Sequence, residues 1–329
     1  MYRAKVRAYA KVNLTLEIVG RENGYHELDS LVASVDVYDT VILKKRKGKL
    51  SSIRMFGKGS ESIPPEKNNA LIAAERYSAR FGTDGADVTV YKNIPMGAGM
   101  GGSSADIAGV LVGMQRLYKA ATDEELFALA GELGSDVQVM LEGGYSRMQG
   151  RGERVTPIHG VKQPLNFLLI CPSGGVSAGA CYQEYDRLHE VDKPSGYTEK
   201  AIEALQSNDV YALGRYLMND LYIPSANLCK DVGKALEEAR SFSPIAAVMT
   251  GSGSAVLALF ETEELCRWAK SRYRGKFHVE TVKTVDVRNK KSWSFPFALR
   301  AEELENERKK GVKHGRENFR RRDRQKNQD

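Results

Sequence analysis

Apolar and polar residues alternate strictly along Val12-Asn13-Leu14-Thr15-Leu16-Glu17-Ile18, the period of two that a half-buried strand requires. That period sets Lys11, Asn13 and Thr15 on one face and Val12, Leu14 and Ile18 on the other, so residues 4–19 predict strands. Asn23-Gly24 marks a tight turn before Tyr25-His26, and a second strand-like stretch runs from Leu31 to Lys45. Residues 67–81 read as a helix and 86–92 as a strand. Ile107, Val110, Leu111, Met114 and Leu117 then recur at helical spacing. Thr122 with Glu125 three residues on has the spacing of a capping box, and Leu126, Leu129 and Leu133 continue that second helix. The apolar run Val137–Leu141 predicts a short strand.

Pro157, Gly160 and Pro164 interrupt the pattern and place a domain boundary near 155–165. Beyond it, Phe167–Cys171 predicts a strand and 198–206, 209–219 and 230–240 predict helices. Ala246–Met249 and Val256–Phe260 flank the turn Thr250-Gly251-Ser252-Gly253-Ser254. A helix near 263–272 and a strand near 277–287 follow. Strands and helices mix without regular βαβ alternation, which predicts an α+β fold in two domains, 1–158 and 159–290, with a basic tail at 291–329.

The 329 residues suffice for two domains with cores of their own. The net charge of +7 is misleading: ten Lys/Arg stand against Glu317 and Asp323 within 308–326, while residues 1–307 balance. A neutral body disfavours nucleic acid as a partner and leaves the tail as the segment with the charge for it. No apolar run nears the ~20 residues of a membrane span, and no secretory leader is visible. Cys171, Cys181, Cys229 and Cys266 are scattered without a CxxC pair, which predicts free thiols in a reducing cytoplasm.

The candidate chemistry begins at Pro95-Met96-Gly97-Ala98-Gly99-Met100-Gly101-Gly102-Ser103-Ser104, directly ahead of a helix. Bare backbone N–H groups at a helix N-terminus cradle phosphate, so nucleotide binding is the first hypothesis. Gly97, Gly99 and Gly102 match G-x-G-x-x-G, but a second helix follows where a dinucleotide fold needs a strand, and no Lys precedes Ser103 as a P-loop requires. Ser103 and Ser104 can cap the helix or offer hydroxyls to phosphate or Mg²⁺; the metal ligands themselves are not legible. Phosphoryl transfer also needs a carboxylate for the acceptor hydroxyl. Asp136, in Gly134-Ser135-Asp136-Val137, and Lys11, on the polar face of the first strand, are the candidates for a base and its stabilising partner.

Ala10-Lys11-Val12-Asn13-Leu14, then Pro95 to Ser104, then Thr250 to Ser254 occur in an order that resembles the GHMP kinase superfamily. Gly24-Tyr25-His26, Asn68-Asn69-Ala70-Leu71, Gly134 to Val137 and Asn219-Asp220-Leu221 narrow the resemblance to its 4-diphosphocytidyl-2-C-methyl-D-erythritol kinase family. That resemblance implies a ribosomal-protein-S5-like N-terminal domain, a ferredoxin-like C-terminal domain and a site between them. It implies ATP with Mg²⁺ as phosphoryl donor and a small molecule bearing a cytidine diphosphate as acceptor. Asp136 falls at the family's catalytic base and Lys11 at its partner. Asn13 and His26 fall at substrate-binding positions, and Tyr25 and Tyr182 at two aromatics that sandwich cytosine. Asn68 and Lys92 fall near the adenosine, and Gly97–Ser104 at the triphosphate loop. Four positions depart from the family pattern: Met100 for Leu, one loop glycine fewer before Ser103, Gln138 for Pro, and Ala178 for the Thr four residues before Tyr182. Another small-alcohol kinase of the superfamily, or an RNA-binding protein using its tail, are the rival readings.

Overall fold

The computed structural model describes residues 2–57, 64, 68–188 and 194–286; the tail expected at 291–329, and the last residues of the second expected domain, lie outside them. The alternating stretch forms two strands, β1 (Arg3–Asn13) and β2 (Thr15–Glu22), separated at Leu14. Asn23 and Gly24 turn the chain at φ 51° and 78°, both in the left-handed region that a two-residue hairpin turn requires. From there β3 (Tyr25–Lys45) runs unbroken for 21 residues.

That long strand organises the first sheet. Its start pairs with β2, Leu28–Ala33 pair with β6 (Tyr145–Gly150), Val32–Lys44 pair with β1, and Thr40–Lys45 also pair with β5 (Ala86–Tyr91). β4 (Ser52–Phe56) runs parallel to β5, and β7 (Arg154–Ile158) closes the β6 edge. Pro157 sits in β7, which among the described residues pairs only with β6; a residue without an N–H is tolerated on such an edge, so the proline near the expected boundary breaks no strand.

Helix α2 (Gly102–Tyr118) lies on this sheet, with α1 (Asn69–Phe81) and α3 (Asp123–Leu133) packed against that helix. Asn68 caps α1, and Thr122 with Glu125 forms the capping box expected ahead of α3. α2 is buried on nearly every side. It lies so close to β1 and β3 that a methyl group on Gly109 would meet Val41 at 2.8 Å and Ala8 at 3.0 Å. Val137–Leu141 is not a strand: Val137–Glu142 form a one-turn-plus helix, α4. All five residues of Val137–Leu141, the polar Gln138 included, are buried, and a short run buried all round carries no periodicity to separate strand from helix.

The second sheet is built from β8 (Asn166–Cys171), β10 (Ala246–Met249), β11 (Val256–Phe260) and β12 (His278–Lys283), all antiparallel, in the order β10-β11-β8-β12. α5 (Ala178–Leu188), α8 (Tyr222–Leu228) and α9 (Lys230–Arg240) fall between β8 and β10, and α10 (Glu263–Arg272) lies between β11 and β12. This is the βαββαβ succession of a ferredoxin-like unit, with its first strand beside its third and fourth. α6 (Tyr197–Gln206) and α7 (Val210–Tyr216) instead pack into the first sheet's core. β9 (Met218–Asn219) adds a parallel strand to β2, so the two sheets are tied by a segment from the chain's second half.

Candidate active site

The glycine loop owes its shape to three residues in the left-handed region: Gly97, Gly99 and Gly101, at φ 67°, 74° and 70°. They alternate with Ala98 and Met100, whose side chains are buried and anchor the loop. Alternating backbone hand turns successive N–H groups toward one side, which makes an anion-binding concavity. Side chains are excluded by distance as well as by φ. A Cβ on Gly99 would lie 2.3 Å from the Thr250 carbonyl oxygen, and one on Gly101 would lie 2.3 Å from Met140. The second glycine turn is therefore the buttress of the first, and Ser254 and Ala255 donate their N–H groups to the carbonyls of Gly97 and Ala98 at 3.3 and 3.2 Å.

Gly101, not a serine, caps α2, and no side chain bonds the helix start. Ser103 and Ser104 lie inside the first turn, two and three residues past the cap position, so their capping role is corrected. The Ser103 hydroxyl receives a hydrogen bond from Asn69 Nδ2 at 3.1 Å. The helix start is left without a capping side chain, and its dipole favours negative charge there.

Asp136 begins α4 at its N-cap without making a side-chain cap bond. Its carboxylate, 28 % exposed, meets the Lys11 ammonium at 3.3 Å. Lys11 reaches it from β1, where its own N–H is bonded to the Met100 carbonyl of the loop. Asn13 completes the group, accepting a hydrogen bond from Lys11 Nζ at 2.7 Å. The N–H of Asn13 is donated to Thr250 Oγ1 at 2.8 Å, so all three motifs of the sequence converge within one cluster of contacts.

These residues floor a cleft of 1230 Å³. Tyr25, His26, Ala178 and Tyr182 form its far wall. The His26 ring stacks on Tyr182 with centroids 4.8 Å apart at 21° and bonds Asp186 through Nε2 at 2.7 Å. Tyr25 is 57 % exposed, with the Arg151 guanidinium 3.7 Å from its ring centroid. Tyr25 and Tyr182 thus line one cleft, but His26 and Arg151, rather than each other, are their ring partners. Burial first, and then the nearness of Asp136, push the Tyr182 phenol well above its ordinary range, keeping it a neutral donor.

On the loop's other side lies a hollow of 330 Å³ lined by Asn68, Lys92, Ile94 to Ser104 and Asp106. The two cavities share Gly99, Gly101, Ser104 and Ser252. Asn68 and Lys92 reach this hollow with their polar atoms engaged. Asn68 Oδ1 accepts from Ala70 N at 3.0 Å and Leu71 N at 3.4 Å. Lys92 Nζ is clamped between Asp39 and Asp106. Burial opposes its charge, but the carboxylates of Asp106 and Asp39 outweigh burial and hold its pKa above the ordinary value. Burial in turn pushes the Asp106 carboxyl up to about 7, against the pull of Lys92 and with Asp39 adding to the rise.

Residues 68–146 match the model for the GHMP kinases N terminal domain and 201–267 that for the GHMP kinases C terminal. A 4-diphosphocytidyl-2-C-methyl-D-erythritol kinase of Caldanaerobacter subterraneus subsp. tengcongensis is 34% identical over 295 residues, covering 86% of this chain and 98% of the relative. The protein so named in Clostridium beijerinckii is 33% identical over 285 residues, covering 84% and 100%. The chain belongs to the 4-diphosphocytidyl-2-C-methyl-D-erythritol kinase family of GHMP kinases. A crystal structure of 4-(cytidine 5'-diphospho)-2C-methyl-D-erythritol kinase superposes with TM-score 0.70 at 30% identity, covering 85% of this chain and 98% of that one. Mevalonate kinase from L. major shares the fold alone, at TM-score 0.63 and 17% identity. The S5-like and ferredoxin-like halves expected from the resemblance are those of the GHMP kinase fold.

Sequence reasoning missed several groups that this kinase-family site brings together. Asp39 and Asp106, which neutralise Lys92, sit 53 and 14 residues from it in sequence, and no local spacing joins them. Asp186, which bonds His26, is 160 residues away. Its signal was available only as an acid one helical turn beyond Tyr182. Arg151 follows Gly150 in the β6–β7 turn, a hairpin that the pattern of apolar residues does not reveal.

Proposed function

We propose that the protein transfers the γ-phosphoryl group of ATP to the 2-hydroxyl of 4-diphosphocytidyl-2-C-methyl-D-erythritol, giving the 2-phosphate and ADP, in the non-mevalonate route to isoprenoid precursors. The observation that carries this reading is the meeting of two cavities at Gly99, Gly101 and Ser104, with the Asp136–Lys11 pair on the acceptor side. ATP then lies with its nucleoside in the smaller hollow and its phosphates against the loop amides and the open start of α2. The acceptor enters from the larger cleft, and its hydroxyl meets Asp136.

In the chemical step the acceptor oxygen attacks the γ-phosphorus in line, and the bond to the β–γ bridging oxygen breaks as ADP leaves. Asp136 orients the hydroxyl and receives its proton. Lys11 holds the carboxylate in place and stabilises charge that develops on the transferring group. Mg²⁺ enters as part of MgATP, the co-substrate. Among the described residues no group of three or more His, Cys, Asp or Glu could hold a metal, which suits an ion that keeps waters and phosphate oxygens and takes only one or two protein oxygens. Asp136 and the Ser103 and Ser104 hydroxyls are the oxygens at hand.

The exposed Tyr25 ring offers a face for cytosine, with Tyr182 and His26 across the cleft. Ala178, in the cleft wall, supplies no hydroxyl where relatives of the resemblance carry Thr, and this favours a second reading in which the acceptor is a different small alcohol. A cytoplasmic site of action is supported by four free cysteines; no described helix is long and apolar enough to cross a membrane. ADP release measured with the cytidyl diphosphate substrate, mevalonate, homoserine and galactose tests the reading. Turnover with the cytidyl compound alone is expected; turnover with one of the others and none with it would assign a different acceptor.

A further inference from the structure

Behind the Lys11–Asp136 pair the chain of hydrogen bonds continues into the protein. Asn13 is 1 % exposed and Ser30 fully buried. Lys11 Nζ lies 2.7 Å from Asn13 Oδ1, Asn13 Nδ2 lies 2.7 Å from Ser30 Oγ, and Ser30 Oγ lies 2.5 Å from the Thr15 carbonyl oxygen. Every donor and acceptor in this relay is forced from its far end. A carbonyl can only accept, so the single Ser30 proton goes to Thr15. Ser30 Oγ can then only accept from Asn13, which fixes the amide with its NH₂ toward Ser30 and its oxygen toward Lys11. The opposite amide orientation would set an NH₂ against the Lys11 ammonium, two donors facing each other, and its oxygen against Ser30 Oγ, whose proton is already given to Thr15.

The far end is itself held rigidly. Thr15 Oγ1 accepts from Leu31 N at 2.8 Å and shares a 2.8 Å hydrogen bond with Thr198 Oγ1, whose hydroxyl donates to the Asp29 carbonyl at 3.2 Å. Thr198 is fixed in turn at the start of α6, where its N–H reaches Glu17 Oε2 at 2.7 Å.

We propose that Ser30 is a positioning residue for phosphoryl transfer: it sets the orientation of the Asn13 amide and thereby aims the Lys11 ammonium at Asp136. The inference rests on the kinase reading above. Ser30 lines neither cavity, so it acts through Asn13 and Lys11 on the catalytic step and not on nucleotide binding. Removing its hydroxyl leaves Asn13 Nδ2 without its acceptor and the amide free to turn over, and a displacement of that kind beside the reacting atoms costs about ten- to a hundredfold in rate.

The test compares Ser30→Ala, Asn13→Ala and the double variant by kcat and by KM for ATP, with Ser146→Ala as control. Ser146 is as deeply buried in the neighbouring strand, but its hydroxyl has no partner. Ser30→Ala is expected to lower kcat about ten- to a hundredfold with KM for ATP within about twofold, to add nothing on top of Asn13→Ala, and to be rescued by Ser30→Thr; Ser146→Ala stays at the wild-type rate. A Ser30→Ala rate within about threefold of wild type, or losses that add in the double variant, would overturn the proposal. The wild-type protein offers a readout that needs neither turnover nor a folded variant: the Asn13 side-chain amide protons, followed by NMR, are expected to exchange far more slowly than those of exposed Asn208. Exchange as fast as Asn208 overturns the relay, whereas wild-type inactivity on the cytidyl substrate with slow Asn13 exchange removes only the kinase reading.

Discussion

Lys11 and Lys92 are both buried ammonium groups paired with aspartate beside the same glycine loop, and they sit in opposite circumstances. Lys11 shares one acid, Asp136, that is 28 % exposed, opens onto the larger cleft and makes no cap bond. Lys92 is gripped by two acids, Asp39 and Asp106, that are 0 % and 5 % exposed. Asp39 is further occupied by the N–H groups of Asn93 and Ile94 at 2.5 and 2.8 Å. The first pair keeps valences for a ligand. The second ties β3, the end of β5 and the first turns of α2 together, and so holds the loop's two ends at a fixed separation. The same ion-pair chemistry thus leaves the Asp136 carboxylate partly open on the larger cleft, and holds Lys92, at the wall of the smaller hollow, between two buried acids.

Three substitutions would break or sharpen this contrast. Asp136→Asn is expected to have the largest effect: a loss of about a thousandfold or more in kcat, in the range of removing a general base together with its electrostatic role. Nucleotide binding, measured by calorimetry with a non-hydrolysable ATP analogue, should stay near wild type. A rate close to wild type would take Asp136 out of the mechanism.

Lys92→Met is expected to act on the fold instead. It strands two buried carboxylates, at a cost of about 3–5 kcal/mol, or a fall of roughly 10 °C in Tm. If calorimetric scanning showed an unchanged Tm and a weakened affinity for ATP, Lys92 would be a nucleotide ligand and the contrast with Lys11 would disappear.

The smallest effect is the dependence of stability on pH at Asp106. Its folded pKa is raised to about 7, by burial first, so between its ordinary value and neutrality the folded state holds a proton that the unfolded chain has released. Stability from this group is therefore present at low pH and is lost as pH rises through that window. Asp106→Asn, neutral at every pH, should gain in Tm on wild type as pH is raised from 4 to 7, with no further gain above. A Tm difference independent of pH would show Asp106 ionised throughout by Lys92.

The loop, its helix and the motif order were legible because each depends on neighbours close in sequence. Alternating glycines announce a backbone that must turn left-handed, and Thr122 with Glu125 announces a capped helix. The far wall of the larger cleft was less legible. Tyr25 follows directly from the Asn23-Gly24 turn, but its ring partner Arg151 and the His26 partner Asp186 come from distant strands and helices. Val137–Leu141 was misread because in so short a run, with its one polar residue Gln138 buried as well, too few positions remain to mark a period. The serines after Gly102 were misplaced as caps, by two and three residues, because the boundary between loop and helix is set by Gly101's conformation, which composition does not report.

By itself the sequence determined the α+β class, the anion-binding loop and the residue types for phosphoryl transfer, since periodicity, glycine content and hydroxyl, amine and carboxylate chemistry are local properties. Only the tertiary structure decided which lysine meets a partly exposed acid and which is held between two buried ones, because burial and ion pairing depend on β1, β3, β5, α2 and α4 meeting in space. The same meeting fixed the Asn13 amide, whose orientation is dictated by a carbonyl two hydrogen bonds away in the fold.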